Sequence, residues 1–361
     1  MNRSRVLVAL GVLVAVFASA CGSSNKSGSP STTPTTQKFE KQIRLMTHDS
    51  FAVSKPALAA FEKQTGYAVK VLKSGDAGEA VGKAIAVQDH PVADAFFGVD
   101  NTLLTKALDA DLFQPYDAPG LKKVPAEFVL DPQHRVTPID HAAVCVDEDK
   151  NWFGHDGHPP APGSLADLAK PAYKKLLVVE DPASSSPGLA FLLATIVASG
   201  KNGWEDYWHA LRDNGVRVVN GWEEAYYTDF TAGGGSGDRP LVVSYATDPA
   251  ADVAGSGGTT TTPTVGVVPG TCFAQTEFAA VLTNAKNTAG ARALIDFMLT
   301  RRFQQNVPLQ MYVYPVVAGT PLPEVFRRFA VPPPHPYTMT PTEIGANRNA
   351  WLDQWTQIVL Q

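Results

Sequence analysis

The sequence predicts an α/β protein built on open, mainly parallel sheets with helices on both faces. Three observations carry that prediction. Short apolar runs alternate with amphipathic runs from residue 42 onward, in a βαβα rhythm. The rhythm recurs as a second round after residue 176. The 361 residues also exceed what one hydrophobic core usually fills, about 250–300 residues, so two units are expected.

The elements follow in chain order. Residues 42–46 read as a strand. Residues 54–64 read as a helix, with Ser54 as its cap, Leu58 and Phe61 on one face and Gly66 as its stop. Residues 67–72 alternate as a strand, 77–87 suit a helix, 95–99 a buried strand and 101–108 another helix. The second round comprises a strand at 176–179, helices at 188–198 and 204–212, and strands at 217–219 and 241–245. Residues 278–282 read as a strand and 288–299 as a helix. Thr340-Pro341-Thr342-Glu343 is a capping box with Pro at the first helical position, and it opens a helix to about Ile358. Residues 233–237 and 255–262 are loops by composition.

The beginning of the chain reads differently. Arg3 and Arg5 precede an apolar run, residues 6–17, of signal-peptide length and too short to span a bilayer comfortably. Ala18-Ser19-Ala20-Cys21 resembles a bacterial lipobox, with Ala18 where Leu is usual. Residues 1–20 are therefore expected to be a lipoprotein signal peptide and Cys21 a lipidated new N-terminus, anchored to the outer face of the cytoplasmic membrane. A plain secretory signal with an incidental cysteine is the alternative. Residues 21–40, dominated by Gly, Ser, Thr and Pro, read as a flexible tether.

Composition removes several function classes. Hydrophobic residues make up 44%, which excludes a wholly disordered chain. A formal net charge of −5 argues against a dedicated nucleic-acid binder. Three cysteines do not make a disulfide-dense scaffold. In an oxidising location Cys145 and Cys272 have three fates open to them: a disulfide, two inert buried thiols, or a reactive cysteine. The histidines lack metal-site spacing, and no G-x-S-x-G, P-loop or G-x-G-x-x-G is present, so neither a metal nor a cofactor is expected.

In open α/β sheets ligands bind beyond the carboxyl ends of the strands, and several polar clusters fall there. Thr47-His48-Asp49-Ser50-Phe51 follows the first strand, and Asp100-Asn101 follows the strand at 95–99. Ser184-Ser185-Ser186-Pro187 opens a helix, with Ser186 as cap; hydroxyls and free amides at such an end suit an anion, although a plain capped loop explains them equally. Trp222, Tyr226 and Tyr245 can wall a flat cationic ring, or simply pack a core. Asp49, Asp100 and Asp248 are candidate counter-charges and, singly, ordinary loop caps.

Taken in order, these clusters resemble the thiamine-binding component of bacterial ABC transporters, from about Ile43 to Trp355. The carriers are the segments at 47–51, 98–101, 181–189 and 221–226, Ser244-Tyr245, Gln275-Thr276-Glu277, Tyr312 to Val316, and the tail from Thr340 through Trp351 and Trp355. The resemblance implies a two-lobed, type II periplasmic-binding fold. Residues 41–140 plus 276–361 would form one lobe and 141–275 the other, with chain crossings near His141 and Gln275. It implies that Trp222 and Tyr245 meet the aminopyrimidine, and that Ser184, Ser185 and Ser186 meet the hydroxyethyl or phosphate end. Asp100 falls on an acidic position. His48 stands where the family often has Tyr, Tyr312 where it often has Trp, and Ala251 where an aromatic commonly stacks. Together the residues and the resemblance make His48, Asp49, Asp100, Ser184, Ser185, Ser186, Trp222, Tyr226, Tyr245, Asp248, Glu277 and Tyr312 the expected ligand-binding set. The implied partners are thiamine or its phosphates and an ABC permease with its ATPase, and the protein is expected to be a monomer.

Three other readings stay open, one of them a lipoprotein that has lost transport and acts as an adhesin or scaffold. Tyr226-Tyr227 resembles the metal-ligating pair of ferric-ion-binding relatives. A thiamine-cleaving enzyme would use Cys145 as nucleophile with Glu277 or Asp140 as acid.

Overall fold

The computed structural model describes residues 41–200 and 202–361; the signal segment, the tether and Cys21 lie outside the described residues. The strands are β1 (Gln42–Thr47), β2 (Ala68–Lys73), β3 (Ala95–Asp100), β4 (Phe113–Gln114), β5 (Thr137–Asp149), β6 (Leu177–Glu180), β7 (Arg217–Val219), β8 (Leu241–Tyr245), β9 (Val265–Val267), β10 (Phe273–Leu282) and β11 (Tyr314–Pro315). Their main order is β2-β1-β3-β10-β5-β8-β6-β7. β1 runs parallel to β2 and β3, and β6 runs parallel to β7 and β8. Between these two parallel sets lie β10 and β5, antiparallel to each other and to the strands that flank them.

The long β5 is a strand that periodicity does not reveal. Its sequence, TPIDHAAVCVDED, mixes Pro, His and acids, yet nearly every position is buried. It is covered on both faces and so lacks the alternation of a half-exposed strand. β10 likewise begins at Phe273 rather than 278, because Gln275 and Thr276 look inward rather than marking a loop. The positions expected for chain crossings lie side by side: Gln275 pairs with Ala142, and Thr276 with His141.

Helix ends obey local rules. The Ser54 side chain accepts from the Ala57 amide, and Gly66 closes helix Lys55–Thr65 at φ 74°. Helix Ser186–Ser199 starts two residues before its expected position. Its cap is Ser185, not Ser186, because the Ser185 hydroxyl is the one that accepts from Gly188. Helix Pro341–Val359 is capped by Thr340 through the Glu343 amide, as its sequence signature predicts. No described helix is long and apolar enough to cross a membrane.

Two large apolar clusters hold these layers. One gathers Phe96, Phe191, Trp204, Trp208, Phe273 and Trp355, with Trp208 and Trp355 packed edge to face at 5.5 Å. The other joins Ile43, Leu45, Phe61, Phe97 and Phe297 beneath β1. Cys145 of β5 and Cys272 are joined in a disulfide next to the β5–β10 pairing. Both cysteines are buried, and the bond leaves Cys145 no free thiolate to act as a nucleophile.

Candidate functional site

A cavity of about 590 Å³ opens at the carboxyl ends of β1, β2, β7 and β8 and against β10. That volume falls within the range of small-molecule sites, about 300–1,000 Å³. Nine of the twelve expected residues line it: His48, Asp49, Ser186, Trp222, Tyr226, Tyr245, Asp248, Glu277 and Tyr312. Ala251 lines it too. Asp100, Ser184 and Ser185 do not.

Each of those three has a structural use. Asp100 is fully buried; its Oδ1 accepts from the Thr102 hydroxyl and from two amides, and its Oδ2 accepts from Gln275. The Ser184 hydroxyl donates to the Asn220 carbonyl at 2.6 Å. Ser185 caps its helix. Asp76, Glu79 and Asn220 line the cavity and were missed. The available signal was Gly75-Asp76, an acid at a helix cap directly beyond a strand's carboxyl end.

One wall is aromatic. Trp222 stacks on Tyr226 with ring centroids 5.1 Å apart and an interplanar angle of 21°. It meets Tyr227 and Tyr245 edge-on. A widened, π-helical turn over Ala225–Asp229 presents the two adjacent tyrosines in different directions, their rings 84° apart. Tyr226 is buried and Tyr227 half exposed. The indole N–H of Trp222 donates to Ser244 Oγ at 2.8 Å, and Ser244 donates in turn to Asp248. Asp248 is pushed up to about 6 by burial, although Asp147 and Ser244 hydrogen-bond to it. Burial and then Asp248 hold the neighbouring Asp147 carboxyl well above the usual carboxylate range.

One lining acid, Glu277, belongs to a buried acidic row. Glu277 of β10 stands between Asp100 of β3 and Asp140 of β5 in register, so three acids form a row across three strands. Burial, and then the neighbouring Glu277, push the Asp140 carboxyl well above the usual carboxylate range. His48 Nε2 lies 3.0 Å from Glu277 Oε1, a contact that is an ion pair when the imidazole is protonated. Burial pulls the His48 imidazole down, but Glu277, Asp76 and Asp49 together outweigh it and raise it.

Eight carboxylates line the cavity: Asp49, Asp76, Glu79, Glu223, Glu224, Asp248, Asp252 and Glu277. Among the described residues no Lys or Arg lines it. Such a lining favours a cation, and the aromatic wall favours a flat one.

Comparison with known proteins agrees with this architecture. Residues 90–329 match the family model described as bacterial extracellular solute-binding protein. The thiamine-binding periplasmic protein of Salmonella typhimurium is 29% identical over 322 residues, covering 88% of this chain and 93% of that protein. The protein of the same name from Escherichia coli is 28% identical over the same shares. Among solved structures, a periplasmic thiamin binding protein superposes with a TM-score of 0.77 at 26% identity, covering 88% of this chain and 96% of that one. Iron-bound HitA from Pseudomonas aeruginosa superposes with a TM-score of 0.70 at 18% identity over 88% and 99%, a likeness of fold alone. The fold is the two-lobed architecture of periplasmic binding proteins. With that family model matched over residues 90–329, well over half of its length, this chain belongs to the bacterial extracellular solute-binding proteins.

Proposed function

We propose that this protein captures thiamine, or its phosphates, between two lobes and delivers it to an ABC permease and its ATPase. The lobes are residues 41–140 plus 276–361 and residues 141–275. The protein is exported, held by a lipid on Cys21, works as a monomer and performs no chemistry of its own. One observation carries the ligand: a cavity with an indole–phenol wall and eight carboxylates but no lining Lys or Arg. Thiamine joins a permanently charged thiazolium to a flat aminopyrimidine, so it needs π faces and negative compensation once water is excluded. The names of the relatives point the same way. Closure on the ligand would change the face shown to a permease, which gives the transporter a two-state signal.

The test is mass spectrometry of the small molecule that co-purifies, together with thiamine titration followed by tryptophan fluorescence. Quenching that saturates with thiamine supports the proposal. A purple-red colour with ferric salt and no response to thiamine would replace it with ferric-ion transport through Tyr226 and Tyr227.

A further inference from the structure

Asp147 is fully buried in β5, where it pairs with Val242 of β8 on one side and Val267 of β9 on the other, and it does not line the cavity. Neither of its carboxyl oxygens accepts from an N–H or hydroxyl donor among the described residues. A second acid faces it: Asp248, whose side chain does line the cavity. Asp248 is supplied differently. It opens helix Asp248–Gly255, where the helix dipole favours negative charge. Its Oδ2 accepts from Ser244 Oγ and from the Tyr245 amide at 3.3 Å. Through Ser244 it also holds the aromatic wall, because the Trp222 indole N–H donates to the same Ser244 oxygen at 2.8 Å.

Two facing buried carboxyls repel if both are ionised, and an ionised Asp147 would have no donor of its own. One proton between them satisfies both. Asp147, as the neutral acid, donates, and Asp248, as the carboxylate, accepts one more hydrogen bond. The surrounding charges are consistent with this. Glu148 adds to the negative charge around Asp147 and Lys150 offsets it, the Lys150 ammonium donating to the Pro263 carbonyl at 3.4 Å. Beyond Asp248, Asp252 gives its Oδ2 to Thr264 and to the Val265 amide. Burial and then Asp248 push the Tyr226 and Tyr227 phenols up, so both stay neutral near pH 7. Among the described residues no Lys or Arg lines the cavity to pair with Asp248.

We propose that Asp147 is a positioning residue that keeps the negative charge of the pair on Asp248, and that a flat organic cation entering the cavity drives off the second proton whenever the pair holds two. This rests on the reading of the cavity as a thiamine site and adds its response to acidity. The proton balance is simple. In acid the pair carries two protons and is neutral. A bound cation stabilises the Asp248 carboxylate, so one proton leaves to solvent as one cation enters, and Asp147 keeps its own. In the empty cavity burial pushes Asp248 up to about 6, and the cation brings it down again. The extra affinity is therefore present above the empty-cavity value and is lost as pH falls through the bound-state value. One exchanged proton limits the slope to about tenfold in Kd per pH unit.

The experiment is calorimetric titration of the full-length protein with thiamine from about pH 5 to pH 8, in buffers of different ionisation enthalpy so that released protons are counted. The wild type should bind about five- to tenfold more weakly at the acid end and release close to one proton there. Asp248→Asn cannot ionise and should lose that fall. Asp147→Leu keeps the bulk without the donor and should move the fall to higher pH, whereas Asp147→Asn keeps a donor and should return it toward the wild-type position. Thiamine's own protonation is common to all four proteins and cancels between them. Thermal melts report folding; if Asp147→Leu does not fold, Asp147→Asn still decides, because it abolishes the fall if Asp147 is the group that ionises, which overturns the proposal. A fall that Asp248→Asn retains belongs to the His48 imidazole beside Glu277 and also overturns it. A wild-type profile in Asp147→Leu overturns the role of Asp147. Wild-type binding without the fall or the proton overturns the proposal and leaves the thiamine reading intact. Absence of thiamine binding at every pH removes that reading and this proposal with it.

Discussion

Replacing Trp222 by Ala removes one indole and leaves the backbone amide that Asp76 uses. The indole stacks on Tyr226 at 5.1 Å, meets Tyr245 edge-on at 6.1 Å and donates to Ser244 at 2.8 Å. Ser244 still donates to Asp248 after the change, so no buried acid is orphaned and the fold survives. The binding cost follows from the ring alone. An aromatic stack contributes about 0.5–1.5 kcal/mol and a cation over an indole about 0.5–2 kcal/mol, so Trp222→Ala should weaken thiamine by about 1–3 kcal/mol, roughly five- to 150-fold in Kd. Trp222→Phe keeps a smaller ring face and loses the pyrrole ring with its N–H, and it should retain part of the affinity that Ala loses. Calorimetry on both variants, with melts to confirm folding, measures this. A folded Trp222→Ala with unchanged Kd would show that the indole is not part of the binding surface.

Three further outcomes are expected. Glu180 is buried, with no hydrogen bond to its carboxyl other than from its own backbone amide among the described residues; burial, and then Asp76, hold it well above the usual range. The unfolded chain ionises this group at lower pH than the folded one. Its contribution to stability is therefore lost as pH rises from the ordinary glutamate range toward the folded value. Glu180→Gln should shrink the drop in melting temperature between about pH 5 and pH 8, and an unchanged drop would exclude Glu180 as a source of it. Gly98 has φ +107°, and a Cβ there would lie 2.3 Å from His48 Cδ2. Gly98→Ala should cost about 1–3 kcal/mol in a denaturant melt and displace His48 from Glu277; a wild-type melt would refute the clash. Cys145 and Cys272 close a loop of 127 residues, so their joint replacement by Ala should cost roughly 2–5 kcal/mol while leaving the cavity side chains in place. Retained stability in that double variant would contradict a structural role for the bond.

The sequence was most legible where one side chain decides the local geometry. Ser54, Gly66 and the Thr340–Glu343 segment marked helix ends correctly, and the alternating rhythm marked both parallel sets of strands. It was least legible at β5, whose buried acids and histidine hide a strand covered on both faces. The aromatic wall was readable because Trp222 and Tyr226 follow the end of β7 and Tyr245 ends β8. The serine run was misread in part. Ser184 gives its hydroxyl to the Asn220 carbonyl, which only the fold brings near, and Ser185 spends its own on the local helix cap, leaving Ser186 alone on the cavity. Asp76 was missed because its second partner, Trp222, is 146 positions away, and no spacing rule reaches that far.

The placement of β10 has a consequence for how the chain can be made. β10 is inserted between β3 and β5, so residues 273–282 complete strands that were synthesised more than a hundred residues earlier. A nascent polypeptide emerging N-terminus first carries β3 and β5 with unpaired inner edges until that segment exists. Such edges template pairing with other chains. Assembly of the central sheet therefore waits for the last quarter of the molecule, and fragments ending before residue 273 are the ones prone to aggregate.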